Sequence, residues 1–84
     1  MLMPFDEHDQ EALRILGFTI AVTAGGEFAK LEGEMKIYIT RSGDDRLSLA
    51  IRLPRGGEIA AIIPRGILHE AGEDEHERKT KEKP

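Results

Sequence analysis

The spacing of hydrophobic residues changes once along this chain. Between Asp6 and Leu16, the apolar residues Ala12, Leu13, Ile15 and Leu16 share one stripe of a 3.6-residue repeat. Asp6 suits the N-cap, and Glu7 and Asp9 fall in the first turn, where carboxylates oppose the helix dipole. Gly17 follows where a left-handed residue commonly ends a helix. The pattern predicts a helix over residues 6–16.

After Gly17 the period is two, the signature of half-buried strands. Phe18, Ile20 and Val22 alternate with Thr19, Ala21 and Thr23. Met35, Ile37 and Ile39 alternate with Lys36, Tyr38 and Thr40. Leu47, Leu49, Ile51 and Leu53 alternate with Arg46, Ser48, Ala50 and Arg52. A weaker strand is expected over 27–32 and a last one over 58–63, ended by Pro64, which cannot donate to a ladder.

Turn chemistry sets the register, because a one-residue slip turns every side chain of a strand over. Gly25-Gly26 as a two-residue loop pairs Val22 with Ala29 and Ile20 with Leu31. Glu32-Gly33-Glu34 pairs Leu31 with Met35 and Phe28 with Tyr38. An odd loop, 42–44 or 43–45, keeps Ile39 and Leu47 on one face. Arg55-Gly56-Gly57 pairs Leu53 with Ile59 and Ile51 with Ala61. The expected inner face then holds Phe18, Ile20, Val22, Leu31, Met35, Ile37, Ile39, Leu47, Leu49, Ile51, Leu53, Ile59 and Ile63. The expected fold is α+β: an N-terminal helix packed on one face of a five-stranded antiparallel meander. Residues 66–72 are expected to form a short turn or helix. Residues 73–84 hold no apolar side chain and are expected as a disordered or partly helical charged tail, leaving one domain over 1–72.

The same register predicts a row on the outer face: Phe28, Tyr38, Ala50 and Ile62, flanked by Lys36, Arg46 and Arg52. A solvated face would carry mostly charged and hydroxyl groups, so this apolar row calls for a cover. Three covers compete: the segment Ile67–Ala71 folded back, a second copy of the chain, or another protein.

Composition narrows the field. With 84 residues and no cysteine, there is no disulfide and no thiolate metal site. No apolar run reaches the roughly 18 residues of a spanning helix, so no membrane is expected and the chain is read as cytoplasmic. The net charge of −4 is uneven: residues 1–34 carry seven acids and two bases, and residues 35–68 carry six bases and three acids. Of the three histidines, His69 and His76 lie too far apart for a His-Glu-x-x-His zinc site. A loose divalent site over 69–77 is outweighed by a solvated tail, and His8 is expected at the surface. Ser42 and Ser48 lack a nucleophile-elbow context, the Gly-Gly pairs read as hairpin turns, and Asp44-Asp45 reads as a turn. No cofactor and no catalysis are expected.

The expected function is that of a non-enzymatic accessory, regulator or inhibitor that binds protein. Its candidate site is Phe28, Tyr38, Ile62, Lys36, Arg46 and Arg52, or an exposed edge strand, and homodimerisation is one mode. The alternative is nucleic-acid binding, with Phe28 and Tyr38 as a stacking platform among Lys36, Arg41, Arg46, Arg52, Arg55 and Arg65.

Overall fold

Asp6 and Asp9 start the first helix by satisfying each other. The Asp6 carboxylate accepts the Asp9 N–H at 2.9 Å, and the Asp9 carboxylate accepts the Asp6 N–H at 3.2 Å. Two donors that a helix start leaves orphaned are thereby paired. The helix ends at Leu16, and Gly17 takes φ +95°, which an L side chain resists.

A computed structural model describes residues 3–82. Met1, Leu2, and the tail residues Lys83 and Pro84 lie outside the described residues. The element order is α1 (Glu7–Ile15), β1 (Thr19–Thr23), β2 (Gly26–Leu31), β3 (Lys36–Arg41), β4 (Arg46–Arg52), β5 (Glu58–Pro64) and α2 (Arg65–Glu82). The strands form one antiparallel sheet in the order β1-β2-β3-β4-β5. This is the expected α+β meander, with the charged C-terminal segment helical. No helix among the described residues is long and apolar enough to cross a membrane.

Three of the four expected registers shift by two residues, so each strand keeps its face. In the first hairpin the loop is Ala24-Gly25, and Thr23 pairs with Gly26. The Thr23 hydroxyl explains the choice: it accepts from the Gly25 N–H at 3.2 Å and donates to the Gly26 carbonyl at 2.9 Å. The second loop is longer than expected, since Leu31 pairs with Ile37 instead of Met35. The third matches the 43–45 loop, with the Ser42 N–H donating to the Arg46 carbonyl at 3.1 Å. In the last, Ile51 pairs with Ile59 and Leu49 with Ala61. Pro54 opens that turn, and Gly56 supplies φ +92°.

Residues 65–82 form one continuous 18-residue helix, which joins the segment expected as a short turn or helix to the tail expected as disordered or partly helical. Leu68 joins Phe5, Ala12, Leu13, Ala29, Ile39 and Leu47 in the buried core, with Leu16, Phe18, Ile20, Ile37, Leu49 and Ile63 packed around them. Both helices therefore sit on the inner face. They run side by side in one direction, since Asp9 meets His69, Ala12 meets Gly72, and the Ile15 carbonyl accepts from Lys79 Nζ at 3.2 Å. Two helices do not span five strands. Val22, Met35, Leu53 and Ile59, all expected in the inner core, are left exposed.

Candidate functional site

The outer face is built by strand alternation alone. Tyr38 on β3 is flanked by Lys30 on β2 and Ala50 on β4, and Ala50 by Ala60 on β5. The next rung is Thr40, Ser48 and Ile62. Phe28 pairs with Ala21 and reaches Tyr38 diagonally, with ring centroids 6.4 Å apart and planes tilted by 47°. Diagonal aromatic neighbours are within reach on a pleated face, and that separation lies in the favourable range. The expected single row is therefore two rungs, and Ile62 lies beside Ser48, not Ala50.

The cations fall into two groups. Arg52 places its guanidinium 5.9 Å from the Tyr38 ring centroid, a cation–π contact. Lys36 stands beside Arg52, and Glu58 beyond it. Arg46 opens β4 next to Pro64. By contrast, Arg41 and Arg65 are engaged internally. Arg41 donates to the carbonyls of Pro4, Gly43 and Asp44 at 3.1, 3.0 and 3.3 Å. Arg65 donates to the Asp44 carbonyl as well, so the β3–β4 loop is held by two guanidinium groups.

A second constellation was not foreseen. Asp9 is fully buried, and one of its oxygens accepts from Arg65 Nε at 3.0 Å and His69 Nε2 at 2.7 Å. A carboxylate only accepts, so His69 carries a proton on Nε2. Arg65 also pairs with Asp6. Burial opposes the Arg65 charge, but the bonds to Asp9 and then Asp6 outweigh it and hold its pKa above the ordinary value. Asp6, Asp9 and His69 offer three ligand atoms within 4.8 Å of one another. The guanidinium already supplies the positive charge there, so a cation would have to displace it. The one sequence signal was the four-residue spacing of Arg65 and His69, which puts both on one helix face.

The chain's three histidines line one open cleft with Glu11 and Glu73 between the helices. His8 is exposed, as expected, but its ring stacks on His69 with centroids 3.8 Å apart and planes within 15°. A metal bound to imidazole lies in the ring plane about 2.0–2.1 Å from nitrogen. Two near-parallel planes cannot both contain it, so this stack is a packing contact.

The Asp6 carboxyl is held below its ordinary 3.8, chiefly by the Asp9 N–H; burial opposes this, and Arg65 and the Arg41 charge add to the lowering. A depressed carboxyl contributes stability above its unfolded pKa, and loses it as pH falls through the folded one. Thermal melts of the wild type should therefore fall more steeply below about pH 4 than those of Asp6→Asn, which retains a capping oxygen. Equal slopes would remove Asp6 from the acid response.

No protein-family model, curated protein or solved structure matches this chain.

Proposed function

We propose that this chain is a non-enzymatic protein that acts by contact, as an accessory, regulator or inhibitor of another protein. The docking site in this reading is the outer sheet face around Phe28 and Tyr38, with Arg52, Lys36, Arg46 and Ile62 at its margin. The observation that carries it is that both helices pack on the opposite face, leaving two aromatics in ring contact on a side where no helix packs. The cationic margin on an acidic chain favours a partner surface that is itself acidic around an apolar centre. A cytoplasmic location belongs to the same proposal and is checked by fractionating source cells.

Tyr38→Glu tests the site. Tyr38 is only half-buried and lies away from the core, so the domain should fold with an unchanged melting curve. Quantitative pull-down from source cells should lose at least about 10-fold of the partner, as expected for an aromatic anchor worth 1.4 kcal/mol or more. Undiminished recovery would refute the outer face. Unfolding would instead make Tyr38 part of the fold.

The second reading, nucleic-acid binding, is favoured by the Arg52 guanidinium over the Tyr38 ring beside Phe28, an arrangement suited to stacking bases. The internal use of Arg41 and Arg65 weighs against it. A low-salt gel-shift titration with single-stranded oligonucleotides decides, since phosphate contacts are strongest there. No shift under those conditions eliminates this reading.

A further inference from the structure

β5 is an edge strand without the usual protection. Of Glu58–Pro64 only Ile63 is even half-buried, while Ile59 and Ile62, on opposite faces, are 50% and 66% exposed. Edge strands are normally blunted by lysines, bulges or inward-pointing charges. Here the strand reads Ile59-Ala60-Ala61-Ile62-Ile63, with a proline only at its end. The opposite edge, β1, is shorter and sets Glu27 beside its exposed Val22.

The backbone of β5 is open in a defined pattern. The Leu53 N–H donates to the Gly57 carbonyl, and the Arg65 N–H to the Asp45 carbonyl, both in the β4–β5 register. Antiparallel ladders alternate bonded and non-bonded pairs, so Ile59, Ala61 and Ile63 spend their backbone bonds on β4. The N–H and C=O groups of Glu58, Ala60 and Ile62 face outward. Pro64 shares their orientation and has no N–H to leave unpaired, the position where an edge tolerates proline.

We propose that this edge pairs antiparallel with β5 of a second copy, about a two-fold axis at Ala61, joining the two five-stranded sheets into one. The proposal rests on the reading of the chain as a contact-acting protein, but uses the edge and not the aromatic face. Outward groups must meet outward groups, which leaves two central registers. Centring on Ala60 sets Glu58 against Ile62. Centring on Ala61 sets Ile59 against Ile63 on one face and Ala60 against Ile62 on the other, apolar against apolar throughout. It also brings each Glu58 opposite Pro64 of the second copy, next to that copy's Arg46. Self-complementarity of this kind is what a two-fold interface demands. The axis stands normal to the sheet, so both outer faces point the same way and present two aromatic sites on one platform.

Single-cysteine variants test the register cleanly, because the chain has no cysteine. In the Ala61-centred pairing the two Ala61 residues form a non-bonded pair about 4.5 Å apart at Cα, close enough for a disulfide. Mild oxidation should link A61C into a covalent dimer and leave A60C largely unlinked. The wild type should sediment as a dimer, and Ile59→Lys, altering an exposed side chain on the face opposite the aromatic site, should sediment as a monomer with an unchanged melting curve. A wild type that stays monomeric to high micromolar concentration overturns the proposal, and linkage through A60C but not A61C overturns the register. Neither result touches the outer-face reading, since Tyr38 lies two strands in from the edge and has its own test.

Discussion

Arg65→Met is expected to destabilise the domain by about 3–5 kcal/mol, the usual cost of leaving a buried charge without its partner. Asp9 is inaccessible to solvent, and Arg65 Nε is the cation that compensates it. Methionine fills a similar volume but supplies no charge and no donor. The same substitution also releases Asp6 and the Asp44 carbonyl, so the start of α1 and the β3–β4 loop each lose a side-chain bond to α2. Native domains hold only about 5–15 kcal/mol in total, so a chain this small should be close to unfolded at 37 °C. Chemical denaturation with circular dichroism measures the loss. Adding Asp9→Asn should recover part of it, because the unpaired charge is then gone. If the double variant is no more stable than Arg65→Met alone, the loss comes from packing and not from the buried carboxylate.

Gly72→Leu should cost about 3 kcal/mol, and even Gly72→Ala should destabilise. Alanine in an exposed helix interior normally gains close to 1 kcal/mol over glycine. At Gly72 that gain is outweighed. An added Cβ would lie 2.8 Å from the Ala12 Cβ and 2.9 Å from the Ala12 Cα. The obstacle is backbone, which no rotamer change can clear, so the helices would have to separate and loosen the Asp9–Arg65–His69 contacts. Gly66 lies in the same helix with nothing within 4 Å of its would-be Cβ. Gly66→Ala should therefore be neutral or stabilising by up to about 1 kcal/mol. The opposite signs for one substitution in one helix form the test, read by thermal and denaturant melts. A stabilising Gly72→Ala would mean that the two helices can move apart freely.

What was legible in the sequence follows from short-range physics. The start of α1 was readable because Asp6, Glu7, Asp9 and Gly17 act within a few residues of themselves. The face of each strand was readable because alternation and odd or even loop length decide it. The finer pairing was not, because moving a loop by one position shifts register by two without disturbing either face. Thr23 decided one such case through a side-chain bond to its own turn. The Phe28–Tyr38 contact occurs diagonally instead of directly opposite.

Residues 65–82 were the least legible. Their helix has no consistent apolar stripe and contributes only Leu68 to the buried hydrophobic core, so periodicity had little to detect. What holds the helix on the fold is a glycine contact at Gly72 and a polar cluster at Arg65 and His69, whose partners lie some 60 positions away in sequence. By itself the sequence determined the strands, their faces and an apolar residue set too large for one face, because each depends on neighbours along the chain. Only the tertiary structure decided which apolar residues stay uncovered. That depends on where two helices of limited width come to rest on a five-stranded sheet, and they leave both the aromatic face and the β5 edge open.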